Sequence, residues 1–280
     1  ILERVLPVIQ KKIQVRNIQL NLECPETLPS VYCDPEKAAR VLFNLVVNGI
    51  KRTDAGGEIT IRARRQDNSH FVEIGVTNTG KGFRQEDADR IAERFQSVSS
   101  KRAGRITGFG LGLNIANELV DRFCGQMCLL NVPGEGCTFS FTIPLAEREP
   151  VCHSYLKRVA RLYGASCRVA CISVSSMRSL PEGESGQLHA LIESIVPAEA
   201  VVWRASLEHW DILGRSEDIQ AAELDKRLRA ALAASNEIHT TRPLTYPSFK
   251  VDEVLVDTAA AVAVKAFPLA ETSEHFPSDA

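Results

Sequence analysis

No stretch of this 280-residue chain approaches the ~20 consecutive apolar residues that a bilayer-spanning helix needs. Surplus charge is missing too: 33 Lys+Arg stand against 35 Asp+Glu, a formal net charge of -2. A chain so balanced lacks the basic footprint for gripping nucleic acid or coating an anionic membrane. There is no basic-then-apolar leader, and the chain opens on Ile1 rather than Met, so it reads as an internal piece of something longer. No C-x-x-C or H-x-x-x-H motif accompanies the C-x-x-x-C pairs Cys124/Cys128 and Cys167/Cys171, which argues against zinc. The cysteines read as buried thiols in a reducing cytoplasm. No internal repeat is visible. With 44% hydrophobic and 24% charged residues, collagen-like, low-complexity and wholly disordered readings fall away. What is left is a globular chain long enough for roughly two domains.

Periodicity gives the order of elements. Leu2, Val5, Leu6, Ile9 and Ile13 have helical spacing, with Pro7 predicting a kink or a late start. Residues 18–22 alternate as a strand does. Asp34 followed by Pro35 predicts an N-cap and first turn, opening a helix to about Thr53. Two strands, 59–65 and 71–78, precede a short helix over 88–95. Residues 96–107 are polar and basic, too poor in apolar side chains to pack. A glycine-rich loop then opens a helix over 113–124, and strands over 127–132 and 137–143 end at Pro144. Residues 146–150 read as a linker, dividing the chain into domains 1–147 and 148–280. The second domain is expected to hold helices at 155–162, 187–196 and 219–233 and strands at 168–174, 200–204 and 210–213, with a frayed tail.

Three clusters could carry chemistry. Asn44, Asn48 and Lys51 fall at i, i+4 and i+7, on one face of an otherwise apolar helix. Asparagine is a mediocre helix former, so two on one line ask for a reason. A solvated stripe is one reading; a phosphate and divalent-cation site is the other, since amide oxygens suit a hard cation and lysine suits a phosphate. The second cluster, Asn78-Thr79-Gly80-Lys81-Gly82, leaves a strand, and its glycines permit a tight turn with close backbone approach to a ligand. The third is Gly108-Phe109-Gly110-Leu111-Gly112-Leu113, whose alternating glycines free backbone N–H groups at a helix start to face an anion. No Gly-Lys-Ser/Thr follows, so it is not a Walker loop, and no clear strand feeds it as a dinucleotide fingerprint requires.

In this order and at these gaps, the three clusters resemble the ATP-binding catalytic domain of sensor histidine kinases, a branch of the superfamily shared with gyrase, a heat-shock chaperone and MutL. Residues 44–53 resemble the kinase N box, 76–83 the first glycine box, Glu93-Arg94-Phe95 the F box, 108–113 the second glycine box, and Gly136 to Pro144 the closing strand. The resemblance covers residues 1–145 and implies an α/β two-layer sandwich of the Bergerat type. It implies Mg²⁺ held by Asn48, with Asn44 beside it, and Lys51 on phosphate. Asn78 would face the adenine amino group, with Gly80 and Gly82 letting the base lie against the backbone. Gly108, Gly110, Leu111, Gly112 and Leu113 would cradle the phosphates, and Thr138 of the closing strand joins the ATP-binding set. Residues 96–107, with Lys101, Arg102 and Arg105, would be the lid.

Three departures bear on activity. Asn78 stands where the family usually has Asp, which implies weaker binding by on the order of 1 kcal/mol. Arg52 stands where an aromatic residue commonly follows the N-box lysine, and Phe109 replaces a small residue between glycines. None of the six histidines has the context of a phosphoacceptor, so that group must lie upstream or on another protein. The chain is then either a histidine kinase catalytic domain awaiting its dimerisation helices, with a response regulator downstream and a homodimer formed only through those helices, or a pseudokinase serving as a nucleotide-dependent interaction module. An ATP-driven clamp fits the N box less well. The second domain is similar in layout to a GGDEF domain. Ser206-Leu207-Glu208-His209-Trp210 occupies the signature hairpin without its glycines, and Ser173–Ser176 stand where a metal-binding Asp is expected, so no cyclase activity is implied. A degenerate receiver is the competing layout.

Overall fold

The computed structural model describes residues 1–67, 69–96, 110–164, 166–176, 178–238 and 249–257. The chain divides into two compact units, Ile1–Ser154 and Tyr155–Ala280.

In the first unit, α1 (Leu2–Val15) continues through Pro7 and buries Val5, Ile9 and Ile13 at steps of four. After β1 (Gln19–Glu23) comes α2 (Pro35–Arg52). Asp34 caps it as the sequence predicts, accepting from the backbone N–H of Glu36 at 2.9 Å and of Lys37 at 3.2 Å. Burial works against the Asp34 charge. The hydrogen bonds from the Lys37 side chain and the two backbone N–H groups outweigh it, so the carboxyl titrates below its usual range. A lowered folded-state pKa contributes stability that is present above the unfolded pKa and lost as pH falls through the folded one. Asp34→Ala is therefore expected to cost about 1 kcal/mol at neutral pH. Urea denaturation should show the gap between mutant and parent closing in acid.

β2 (Glu58–Arg65), β3 (Phe71–Thr79), α3 (Gln85–Gln96), α4 (Gly110–Arg122), β4 (Met127–Val132) and β5 (Gly136–Pro144) complete the sandwich. The sheet order is β1-β2-β3-β5-β4, with β1 parallel to β2 and the other pairs antiparallel. Period-two alternation puts Ile59 and Ile61, Ile74 and Val76, and Phe139 and Phe141 on one face. They join Leu42, Leu45 and Val46 of α2 and Leu113, Ala116 and Val120 of α4 in one core. Polar residues such as Arg62, Arg64, Thr77 and Thr138 alternate onto the other face.

Residues 146–150 do not form a linker. α5 (Arg148–Tyr163) is a continuous helix. Pro150 sits in its first turn, where a missing N–H costs nothing, and Val151, Tyr155 and Val159 are buried along one stripe.

The second unit continues with β6 (Arg168–Ser176), α6 (Glu182–Ile195), β7 (Val201–Arg204), β8 (His209–Arg215), α7 (Ala221–Ile238) and β9 (Phe249–Asp257). The sheet order β7-β8-β6-β9, all antiparallel, makes a split β-α-β arrangement. Ile172, Val202, Trp210 and Ile212 form one core with Leu188 and Ile192 of α6 and Leu224 and Leu228 of α7. No described helix is long and apolar enough to cross a membrane.

Candidate functional site

The candidate site runs along α2, whose Asn44, Asn48 and Arg52 recur every fourth residue, about 6 Å apart. At one end, Asn44 meets the first turn of α4. A Cβ added to Gly112 would lie 3.4 Å from Asn44 Oδ1, so the first turn of α4 packs at contact distance from Asn44. The Nδ2 atoms of Asn44 and Asn48 are both buried and have no hydrogen-bond partner among the described residues. Two such amides on a well-packed helix are costly unless an acceptor reaches them. α4 begins at Gly110, so the backbone N–H groups of its first three residues, Gly110, Leu111 and Gly112, have no acceptor within the helix itself. An anion satisfies both sets at once.

At the other end, Asn78 is only 2% exposed. Its Nδ2 donates to the Thr79 carbonyl at 3.1 Å, and its Oδ1 accepts from the Cys137 thiol at 3.2 Å. Burial pushes the Cys137 thiol up to about 11 against the nearby Arg52 charge, so it is a neutral donor at physiological pH. Gly49 of α2 lies directly over Asn78: a Cβ there would be 3.5 Å from Asn78 Cβ. Gly80 has φ +142, and a Cβ on it would fall 2.6 Å from the Arg52 carbonyl oxygen. Gly82 is in the left-handed region at φ +64, where the chain turns back toward β4 and β5. Asn131 of β4 latches that turn, accepting from Phe83 N at 2.8 Å and donating to Phe83 O at 3.0 Å.

Arg52 does not project freely. Its guanidinium lies 3.6 Å from the Phe83 ring centroid, half-buried, and desolvation holds its pKa below the usual value. Phe83 and Phe95 both meet Phe139 edge-on, at 5.8 and 6.2 Å, which fixes the floor beneath the arginine.

Of the residues singled out from sequence, Asn44, Asn48 and Gly112 come together at one end and Asn78 and Gly80 at the other. Lys51 is exposed, Leu111 is 75% exposed, and Leu113 is buried in the core beneath α4. Gly110 is the first residue of α4. Gly108 lies outside the described residues, as do Phe109, Lys101, Arg102, Arg105 and the lid segment beyond Gln96. Thr138 is not brought to the cleft. It pairs across β3 with Thr77, its Oγ1 2.9 Å from that of Thr77, on the sheet face opposite Asn78. One residue along the strand, Cys137 occupies the place expected for Thr138. Cys137, Gly49 and Asn131 were missed. An alternation count from Asn78 across to β5 finds Cys137, while Gly49 and Asn131 carry no sequence signal of their own.

In the second unit, Glu208 Oε1 accepts from Ser179 Oγ at 3.0 Å and from Leu180 N at 3.1 Å. His209 sits between Ser175 Oγ at 2.7 Å and Asp211 Oδ1 at 3.1 Å. Both side chains tie strands and loops together. Among the described residues, no group of three His, Cys, Asp or Glu side chains could hold a metal.

The family model described as histidine kinase-, DNA gyrase B- and HSP90-like ATPase matches residues 33–147. The non-motile and phage-resistance protein of Caulobacter vibrioides is 33% identical over 149 residues, 52% of this chain and 18% of that protein. The adaptive-response sensory kinase SasA of a Synechococcus strain is 34% identical over 143 residues, 51% of this chain and 37% of the kinase. The chain thus spans well under half the length of these curated relatives. The solved catalytic domain of histidine kinase ThkA aligns at 27% identity over 51% of this chain and 90% of that one, with a TM-score of 0.43. Residues 33–147 are a domain of the histidine kinase-, DNA gyrase B- and HSP90-like ATPase family.

Proposed function

We propose that the first unit binds Mg-ATP and serves as the catalytic domain of a sensor histidine kinase, passing the γ-phosphoryl group to a histidine outside this chain. The observation that carries this reading is the pair of buried amides of Asn44 and Asn48, without a partner among the described residues, beside the first turn of α4. Phosphate oxygens would accept from both and from the backbone N–H groups of Gly110 to Gly112. Asn48 Oδ1 would supply an oxygen ligand to Mg²⁺. When bound, the ion neutralises charge on the transferring phosphate. The purine would lie on the Asn78 and Gly80 side of α2. Lys51, which is exposed, would supply a cation to a phosphate oxygen.

Phosphoryl transfer of this kind is mainly positioning and charge stabilisation. A dimerisation domain outside this chain would present the histidine, a response regulator would receive the group next, and any homodimer would form through that outer domain. The eight free thiols suit a reducing, cytoplasmic compartment. The second unit would be regulatory. Its split β-α-β sheet is compatible with a degenerate GGDEF-like domain, and the engagement of Glu208 and His209 in strand-to-loop bonds leaves it without cyclase chemistry. One further reading is favoured by the carboxamide at Asn78 and the cation at Arg52: a pseudokinase that uses nucleotide to set contacts rather than to transfer phosphate.

Calorimetry with ATP, with and without magnesium, together with phosphotransfer to a supplied dimerisation helix, tests these readings. Magnesium-dependent binding with transfer is expected. Binding without transfer leaves the interaction module, and no binding removes both.

A further inference from the structure

The row of the sheet that carries Asn78 also carries a second asparagine. Register pairs Asn78 of β3 with Cys137 of β5, and Cys137 with Asn131 of β4, so the three share one row and one face. β3 ends at Thr79, yet the turn that follows stays pinned to the β4–β5 hairpin. Gly80 N donates to Glu135 O at 3.1 Å, and Gly134 N donates to Lys81 O at 3.0 Å. Past them, Asn131 holds both main-chain groups of Phe83, accepting from N at 2.8 Å and donating to O at 3.0 Å. A residue in an antiparallel ladder exchanges the same pair with its neighbour, one N–H and one C=O. The Asn131 carboxamide therefore stands in for a peptide unit and carries strand-like pairing to Phe83, beyond the end of β3.

The contact is close as well as bonded. A Cβ on Gly82 would fall 2.9 Å from Asn131 Oδ1, 2.9 Å from Gly136 O and 3.0 Å from Val132 O, so the turn lies directly on the hairpin. On its other side the turn meets the end of α2. Gly80 passes the Arg52 carbonyl, and the buried Phe83 ring lies against the Arg52 guanidinium and meets Phe139 edge-on. Residues 80–83 are thus held between α2 and the β4–β5 hairpin. Asn131 is the side chain that closes this hold. A carboxamide presents a donor and an acceptor side by side without charge. An aspartate would set an oxygen against Phe83 O, and an alanine would release both groups. A turn fixed before its ligand arrives spares binding the cost of ordering it.

We infer that Asn131 is a positioning residue for the nucleotide: by holding Phe83 it sets the Gly80–Gly82 turn before the base arrives, so its effect falls on the base and not on the phosphates. This step rests on the reading that puts the purine on the Asn78 and Gly80 side of α2. Two probes separate base from phosphate in the full chain: Mg-ATP, followed by calorimetry, and inorganic Mg-tripolyphosphate, followed by its competition with ATP. Asn131→Ala is expected to weaken ATP about tenfold, the scale of the bonds removed, and to change tripolyphosphate by less than about twofold. Unchanged ATP affinity overturns the inference. So do equal losses for both probes, which are the mark of general structural damage. Failure of the wild-type chain to bind ATP removes the nucleotide reading itself, and this step with it. Should Asn131→Ala not fold, Asn131→Ser, whose shorter hydroxyl cannot span both Phe83 groups, is read by the same ratio, with ATP expected to weaken several-fold. Amide hydrogen exchange on the nucleotide-free wild type needs no variant. Slow exchange at Gly80 and Phe83 is expected, and rapid exchange at both overturns the preset turn.

Discussion

Replacing Asn48 by alanine should abolish the magnesium-dependent part of ATP binding and lower phosphotransfer to a supplied acceptor helix by about 10²-fold or more, the scale expected when a charge-stabilising group is removed from a preorganised site. The same change should leave the fold intact or slightly firmer. The buried Nδ2 of Asn48 has no partner among the described residues to lose, and alanine is the better helix former by about half a kcal/mol. Function falling while thermal stability holds or rises is the signature of a residue kept for a ligand. A packing residue on the neighbouring face, such as Leu45, would lose stability first, since truncating a fully buried leucine costs roughly 2–5 kcal/mol. If Asn48→Ala keeps its magnesium dependence, the phosphate end of the cleft has been misassigned.

Much of the first unit was legible because its signals are local and agree with one another. The Asp34-Pro35 start, the alternation through β2, β3 and β5, and the glycine turns each specify one geometry. The Asn44–Asn48 pair was legible for the same reason: two asparagines on an apolar helix stand out without any knowledge of the fold. The surroundings of Asn78 were less so. Cys137 looks like an ordinary strand cysteine until β5 is laid against β3, when register pairs it with Asn78. Thr138, a more polar candidate, alternates onto the other face. Asn131 acts only through a turn 48 residues earlier in the chain.

In the second unit, Gly183 and Gly186 disguised the first turns of α6, because glycine weakens a helical pattern without forbidding it. β9 was missed outright. Its sequence Phe-Lys-Val-Asp-Glu-Val-Leu-Val-Asp breaks strict alternation, and its strand state depends on pairing with β6. The α5 linker assignment failed through Pro150, which marks a break inside a helix but is tolerated in a first turn.

The largest effect on stability is expected at Gly136, which opens β5 beside the base end of the cleft. Its φ is +140, and a Cβ there would fall 1.9 Å from the Asn78 carbonyl oxygen, an overlap that no side-chain rotation relieves. Gly136→Ala must therefore separate β5 from β3 at the pair Gly136–Thr79, the very place where Asn78 meets Cys137. A loss of at least about 3 kcal/mol is expected from clash and backbone strain combined. Gly134 supplies the internal control. It lies in the same turn with φ +89, but a Cβ on it would meet nothing within 4 Å. Gly134→Ala should accordingly cost only the left-handed conformation, about 1 kcal/mol. Urea denaturation of the two variants separates strain from collision, and nucleotide titration of each shows whether the cleft shares the damage. Similar losses in both would mean that the β4–β5 turn, rather than the close approach of the strands, limits stability. A large loss at Gly136 alone, with nucleotide binding falling alongside it, would tie the tightness of the β3–β5 pair to the site that it builds.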